Sequence, residues 1–325
     1  MIVTLTANPS FDRSVQLPGP LLRGEVQRAT GPAVSEPGGK GVNVSRALVA
    51  AGFETVAVLP GDADDPMVVA LHGRGIPTAT TAIGTPIRQN VTLTEPDGTT
   101  TKLNEPGPGL DAGHRSALLA LVAERSENAR WLVLAGSLPP GVGADWYAEL
   151  VAAARARAPH LWVAVDTSGA PLAAVVAAAS AAGQHLDLIT PNGAELAALL
   201  GRDDGAAIEA DPALAAELAS GLLHRGVGAV LLTLGAVGAV LATAGSARER
   251  GGAWFAAAPR ITARSTVGAG DSALAGYLIA ECSGADSAGR LAQAVAHGSA
   301  AAALPGSAVP ALADTHPDAV TVHAL

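Results

Sequence analysis

The sequence predicts an α/β fold built on a parallel sheet with helices on both faces. Three observations carry this expectation: short β-branched runs, alanine-rich segments with apolar residues three and four positions apart, and regular alternation between the two. "TVAVLP" (55–60), "RWLVLAG" (130–136), "LWVAVD" (161–166), "LDLITP" (186–191) and "GAVLLTLG" (228–235) are apolar in unbroken succession, as strands buried on both faces must be. Between them, 113–127, 145–157, 171–182, 193–200 and 211–225 carry Leu, Val and Trp at helical spacing with Ala filling the rest.

Two regions break this rhythm. "FDRSVQLPG" with "GEVQRATGPAVSE", and later "IRQNVTLTEPDGTTTKLNEPGP", alternate polar with apolar residues and turn at Pro-Asp-Gly. They read as antiparallel ribbons forming a small lid over about 11–34 and 87–105; an ordinary edge hairpin is the alternative. The ribbons hold too little apolar surface for a core of their own, so they are expected to close over a ligand or pair with a second subunit. With no internal repeat and no long linker, 1–325 reads as a single domain.

Composition narrows the function classes. Of the 325 residues 49% are hydrophobic, enough for a large core, and the formal net charge is -9 with no dense run of Lys or Arg. A nucleic-acid or membrane-surface partner is therefore not expected, and a small molecule is. The lone Cys282 cannot form an internal disulfide, and "MIVTLTANPS" enters strand-like sequence without a signal-peptide pattern, so a cytoplasmic location is expected. The most apolar stretch, "LAAVVAAASAAG" at 172–183, is shorter than the roughly 20 residues that cross a bilayer.

The stretch "STVGAGDSALAG" (265–276) places a carboxylate, Asp271, behind two glycines and ahead of a helix. Gly268 and Gly270 permit backbone angles closed to other residues, so the amides of Gly268, Ala269 and Gly270 can converge at a helix N-terminus and bind an anion such as phosphate. A resident carboxylate repels that guest unless it takes a proton from an attacking hydroxyl. Two other readings stand beside this one. Asp271 can be a plain helix cap, and Gly268, Gly270 and Ala273 fit a dinucleotide G-x-G-x-x-A fingerprint, although no clear strand and acidic ribose position support it.

The second motif is "EPGGKGVNVSRALVAAG" (36–52). Gly38 and Gly39 let backbone approach a ligand, Lys40 adds one cation, and a helix from Asn43 follows. This is not a Walker loop, because position 34 is Val and Lys40 is followed by Gly41. A structural turn is the alternative.

Together, "GGKGVNVSRAL" and "STVGAGDSALAG" resemble the two signatures of the PfkB, or ribokinase-like, carbohydrate kinase family. "TLTANPSFD" (4–12), "GSLPPG" (136–141), "TPNGAEL" (190–196) and "TLGAVGA" (233–239) follow in family order, so the likeness spans nearly the whole chain. It implies a Rossmann-like body with a β-sheet lid, and phosphorylation of a hydroxymethyl group with ATP and Mg2+. Asp271 then falls on the catalytic base, and the amides of Gly268, Ala269 and Gly270 on the anion hole. Asn192 and Glu195 match an N-x-x-E motif associated with magnesium, through water, and phosphate. Their spacing after Pro191 at a helix start lets both face the same side, although Glu195 can equally serve as a capping residue. Thr233, Gly235 and Gly238 follow a buried strand where a nucleotide can approach backbone; a strand-ending turn describes them equally well.

"TANPSFD", "GGKGVN", "IRQN" and "TKLNEPGP" look most like the bacterial 1-phosphofructokinases and the related tagatose 6-phosphate kinases. That resemblance implies conversion of fructose 1-phosphate to fructose 1,6-bisphosphate, with tagatose 6-phosphate kinase and 6-phosphofructokinase as alternatives. Lys40, Arg88 and Lys102 are expected to hold the phosphate already on the sugar; Gly38, Gly39, Asp12, Asn43 and Asn90 line the sugar site, with Asp12 and Asn43 bonding its hydroxyls. Arg88 and Lys102 can also be solvated charges on a ribbon face. Ile87 departs from relatives that carry Thr before the Arg. A sugar-binding module without catalysis and a dinucleotide-dependent dehydrogenase remain as other function classes. A homodimer through the lid is expected.

Overall fold

Every residue of the first strand, Ile2–Thr6, is buried, because this strand runs through the middle of the sheet rather than along an edge. The structure is a computed structural model describing residues 1–182, 184–245 and 249–325. In chain order its elements begin with β1 (Ile2–Thr6), β2 (Ser10–Gln16), β3 (Val34–Gly38), α1 (Lys40–Ala50), β4 (Thr55–Pro60), α2 (Pro66–Gly73) and β5 (Thr78–Thr81). Next come β6 (Arg88–Thr94), β7 (Thr100–Asn104), α3 (Ala112–Ser126), β8 (Trp131–Ala135), α4 (Trp146–Arg157), β9 (Trp162–Asp166), α5 (Gly169–Ala182) and β10 (Leu188–Ile189). The chain finishes with α6 (Gly193–Leu199), α7 (Gly205–Ala210), α8 (Pro212–Leu223), β11 (Ala229–Thr233), β12 (Gly238–Gly245), β13 (Arg250–Ala257), α9 (Ala269–Cys282), α10 (Ser287–Ala302) and β14 (Val322–Ala324).

The main sheet has the order β14-β13-β12-β11-β10-β9-β8-β1-β4-β5. It is parallel from β5 to β11, and antiparallel pairing adds β12, β13 and β14 at one edge. Strand alternation feeds two cores: Leu132, Leu134, Val163 and Val165 point into one, while Trp131, Val133 and Ala164 point into the other. The first is closed by α3, α4, α5, α6 and α8, and the second by α1, α9 and α10. Helix starts follow local chemistry. Asp65, Asp111, Asp211 and Asp286 each accept a hydrogen bond from a first-turn amide, and Pro66 and Pro212 open their helices. Helices α9 and α10 pack closely because Gly276 has no side chain; a Cβ there would stand 2.6 Å from Gln293 O.

A second sheet of order β3-β2-β6-β7 forms the lid. Its two ribbons are antiparallel within themselves, but β2 and β6 join them in parallel, which the ribbon pattern did not reveal. The reason lies in the body: β2 follows β1 and β6 follows β5, and those two strands leave the main sheet in one direction. Residues 17–33, rich in Pro and Gly, carry no strand. Two further expectations are corrected. Helix α1 begins at Lys40 rather than Asn43, and the 186–191 run yields only a two-residue strand with flanking bridges. Among the described residues no helix is long and apolar enough to cross a membrane.

Candidate active site

The strand order reverses at β1: the chain moves outward through β4 and β5, then returns to build β8 to β11 on the other side. Ligands of open α/β sheets bind at the carboxyl ends of the strands flanking such a switch. The GGKG stretch lies there. Gly39 caps α1 with φ 105°, and a Cβ on Gly41 would stand 2.7 Å from Leu5 O, at the end of β1. On Gly38 it would collide with the Asp12 carboxylate, so this glycine lets the lid aspartate approach.

Lys40 is turned toward the body. Its Nζ donates to Asp166 Oδ1 at 2.7 Å, and Asp166, at the end of β9, is 3% exposed. Burial opposes the lysine charge, but Asp166, Asp271 and Glu195 outweigh it and raise its pKa. Lys40 therefore stands among the carboxylates of the body, with its ammonium on Asp166. Sequence reasoning also missed Asp166, which ends a buried strand without any motif around it.

Asp271 lies in the first turn of α9, 6% exposed. It is not the helix cap: Gly268 holds that place with φ 76°, and Asp271 Oδ2 accepts a 2.8 Å hydrogen bond from Asn43 Nδ2. Burial, together with the charge of Asp166, pushes its carboxyl up to about 7 against the opposing effects of Lys40, Asn43 and Arg46. Gly270, unlike Gly268, has no positive φ; it lies inside α9, where an added Cβ meets nothing within 4 Å. Its missing side chain keeps the helix head open instead of permitting an unusual turn. Asn43 was expected on the sugar. Its amide is occupied at both ends, by Asp271 and by Arg46 Nη1, with one N–H to spare.

On the lid, Asp12 Oδ1 accepts from Ser10 Oγ at 2.7 Å and Asn90 Nδ2 at 2.9 Å, leaving Oδ2 for another donor. Asn90 Oδ1 is buried without a partner. Arg88 donates to three backbone carbonyls, Pro9, Asn8 and Glu105, at 2.9–3.3 Å, which stitches the lid to the body and leaves two guanidinium N–H groups. Ile87 is buried in a small core with Met67, Val68 and Leu71 on α2, and its N–H donates to Asp65, so this departure from the family pattern anchors the base of the lid. Lys102 is exposed, opposite Thr92 and on the lid face that carries Asp12 and Asn90.

Asn192, Thr233, Gly235, Gly238, Ala269 and Gly270 come together along one cleft of about 680 Å³. Arg260, Ile261, Val295 and Ser299 complete it, from segments that carry no sequence signal. Asn192 and Glu195 form a reciprocal capping box, Oδ1 accepting from the Glu195 amide and Glu195 Oε2 from the Asn192 amide. Capping consumes one oxygen of each; Glu195 Oε1 has no partner among the described residues. No strand leads directly into the Gly268 turn, because 258–268 intervenes after β13, so the dinucleotide fingerprint lacks its structural context.

The family model for the pfkB family of carbohydrate kinases matches residues 8–313. The chain belongs to the pfkB family. This pfkB-family kinase is 34% identical over 289 residues to a 1-phosphofructokinase of Rhodobacter capsulatus, covering 88% of this chain and 85% of that one. It is 32% identical over 274 residues to the ATP-dependent 6-phosphofructokinase isozyme 2 of Escherichia coli, covering 83% and 82%. The crystal structure of phosphofructokinase-2 from Escherichia coli in complex with potassium superposes with a TM-score of 0.84 at 29% identity, over 96% of both chains. The enzyme is a phosphotransferase acting on an alcohol group, with ATP as its phosphoryl donor.

Within the pfkB-family kinase, a carboxyl held near neutrality stands at the helix head between a polar lid face and the long cleft. Such a group can accept a hydroxyl proton at physiological pH, and the adjacent amides can stabilise negative charge. The donor chemistry is compatible with magnesium: Glu195 Oε1 is a hard carboxylate oxygen without a partner among the described residues, next to the cleft-lining Asn192.

Proposed function

We propose that this kinase converts fructose 1-phosphate to fructose 1,6-bisphosphate. The observation that carries the reading is Asp271: a buried carboxyl with a raised pKa at the head of α9, hydrogen-bonded to Asn43 of α1 and one residue after Gly270 of the long cleft. The 6-hydroxyl oxygen attacks the γ-phosphorus of ATP, its proton passes to Asp271, and ADP departs from phosphorus. The amides of Gly268, Ala269 and Gly270 receive the charge that builds on the phosphoryl oxygens. Asp12, with its uncommitted oxygen, and Asn90, with its unpartnered buried Oδ1, bind sugar hydroxyls beside Gly38 and Gly39.

Arg88 and Lys102 hold the phosphate already on the sugar, using the N–H groups that the protein leaves over. The nucleotide lies along Thr233, Gly235 and Gly238. Asn192 and Glu195 hold Mg2+ through water; when bound, the ion neutralises triphosphate charge. We read 1–325 as one catalytic unit acting in the cytoplasm, with lid segments at about 11–34 and 87–105. The lid pairs with a second copy: strand alternation sets Val15, Val91, Leu93 and Leu103 on the face away from Asp12 and Asn90, an apolar patch with Arg13, Gln89 and Thr101 among it.

A coupled ADP-release assay over fructose 1-phosphate, tagatose 6-phosphate, fructose 6-phosphate and free sugars tests the reading. Fructose 1-phosphate is expected to give the highest kcat/KM. A higher value for tagatose 6-phosphate or fructose 6-phosphate reassigns the substrate, and preference for an unphosphorylated sugar removes the phosphate pocket.

A further inference from the structure

Arg46 lies on α1, three residues after Asn43, and is 7% exposed. Among the described residues no carboxylate comes within ion-pair distance of it, an expensive state for a buried charge. Its Nη1 instead reaches three uncharged acceptors: Pro37 O at 3.2 Å, Asn43 Oδ1 at 3.3 Å and Ser307 Oγ at 3.5 Å. Ser307, from the loop after α10, donates in turn to Glu36 Oε2 at 2.7 Å. Pro37 and Glu36 belong to lid strand β3, so this one side chain bridges the lid and the partner of Asp271.

The chemistry of the three groups permits one arrangement. A guanidinium only donates and an ionised carboxylate only accepts, so an amide between them must offer Oδ1 to Arg46 and Nδ2 to Asp271. A flipped amide would set oxygen against oxygen and N–H against N–H. The accepting carboxylate already selects the Nδ2 end of Asn43, and Arg46 holds the amide from its other end so that it stays in this place. The bond to Oδ2 then leaves Oδ1 of Asp271 as the atom that meets the substrate hydroxyl.

We propose that Arg46 is a positioning residue for phosphoryl transfer, locking the Asn43 amide against Asp271 and tying that lock to lid strand β3; this rests on Asp271 being the base. Several charges face the pair. Asp271 is faced by Asp166 from β9 and by Lys40 and Arg46 from α1. Arg46 is faced by Glu36 from β3, Asp12 from β2, Arg74 beyond α2 and Asp271 from α9. A rate loss therefore needs a readout that separates positioning from simple packing.

A mutant cycle supplies it: kcat, both KM values and Tm for the full-length enzyme, Arg46→Met, Arg46→Lys, Asp271→Asn and Arg46→Met/Asp271→Asn. Arg46→Met is expected to lower kcat about 10- to 100-fold, because misplacing a catalytic group by about 1 Å has that effect, with both KM values within about threefold. Arg46→Lys keeps the charge and one donor and is expected to return kcat to within about fivefold of the parent. In the Asp271→Asn background, Arg46→Met should cost less than about threefold, since no base remains to be positioned. An equal loss in both backgrounds, or an unchanged kcat, overturns the proposal. Should Arg46→Met fail to fold, Ser307→Ala at the loop end of the bridge decides: a fall in kcat at unchanged Tm supports it and an unchanged kcat overturns it. A parent enzyme that turns over sugar phosphate while Asp271→Asn is fully active defeats the base assignment, which is a separate failure.

Discussion

Asn43 Nδ2 lies 2.8 Å from Asp271 Oδ2, a contact across 228 positions of sequence that joins the heads of α1 and α9. Each helix starts at a glycine in the left-handed region, Gly39 and Gly268, so both N-termini converge on one crevice. The carboxylate that would repel an anion there is held by an amide.

Asp271→Asn is expected to lower kcat by about 10²-fold or more while the KM values change little, because a general base contributes about 10² to 10⁴. Steady-state kinetics with fructose 1-phosphate checks it. Near-normal turnover would return Asp271 to a structural role.

The raised pKa of Asp271 makes a signed prediction for stability. Between its ordinary value of 3.8 and its folded value of about 7, the folded state binds more protons than the unfolded state, so stability from this group falls as pH rises through that window. Asp271→Asn should thus raise Tm at pH 8, with the gain vanishing near pH 4, as read by thermal melts across pH. The acid limb of kcat/KM in the parent should lie near pH 7. A gain over the parent that is no larger at pH 8 than at pH 4 contradicts the shift.

Lys40→Met should lower kcat more than it raises the KM for sugar phosphate, since its Nζ is on Asp166 beside the base and not in the lid. The loss expected is about 10-fold or more, in line with charge-assisted contacts of about 1.5–3 kcal/mol. A pure KM effect would put Lys40 back on the sugar phosphate.

Arg88→Ala should raise the KM for fructose 1-phosphate about 10- to 150-fold and leave ATP affinity unchanged. It should also lower Tm, because three backbone carbonyls lose their donor. A lower Tm with normal KM would leave Arg88 as a stitch between lid and body alone.

Leu103→Asp, on the apolar lid face with Leu93 and Val91, should convert a dimer into monomer in light scattering. A parent protein that is monomeric and fully active at all practical concentrations defeats the pairing.

Much of this protein was legible in its residue order, wherever the cause is local. Unbroken apolar runs marked central strands, since a parallel strand is buried on both faces, and the Asn192-x-x-Glu195 spacing marked a helix start, since a side-chain oxygen satisfies a nearby amide. The paired glycine motifs marked the crevice through backbone sterics and the family resemblance. Tertiary structure alone decided which way the polar groups face. Lys40 turned to Asp166 because two strand ends meet beneath it, Arg88 was drawn to three carbonyls left open where lid meets body, and β2 met β6 in parallel because β1 and β5 run the same way. Arg46 and Asp166 carry no local signature at all. Their partners are distant in sequence, and hydrogen-bond direction across such contacts depends on the packed arrangement of whole elements, which no short stretch of residues contains.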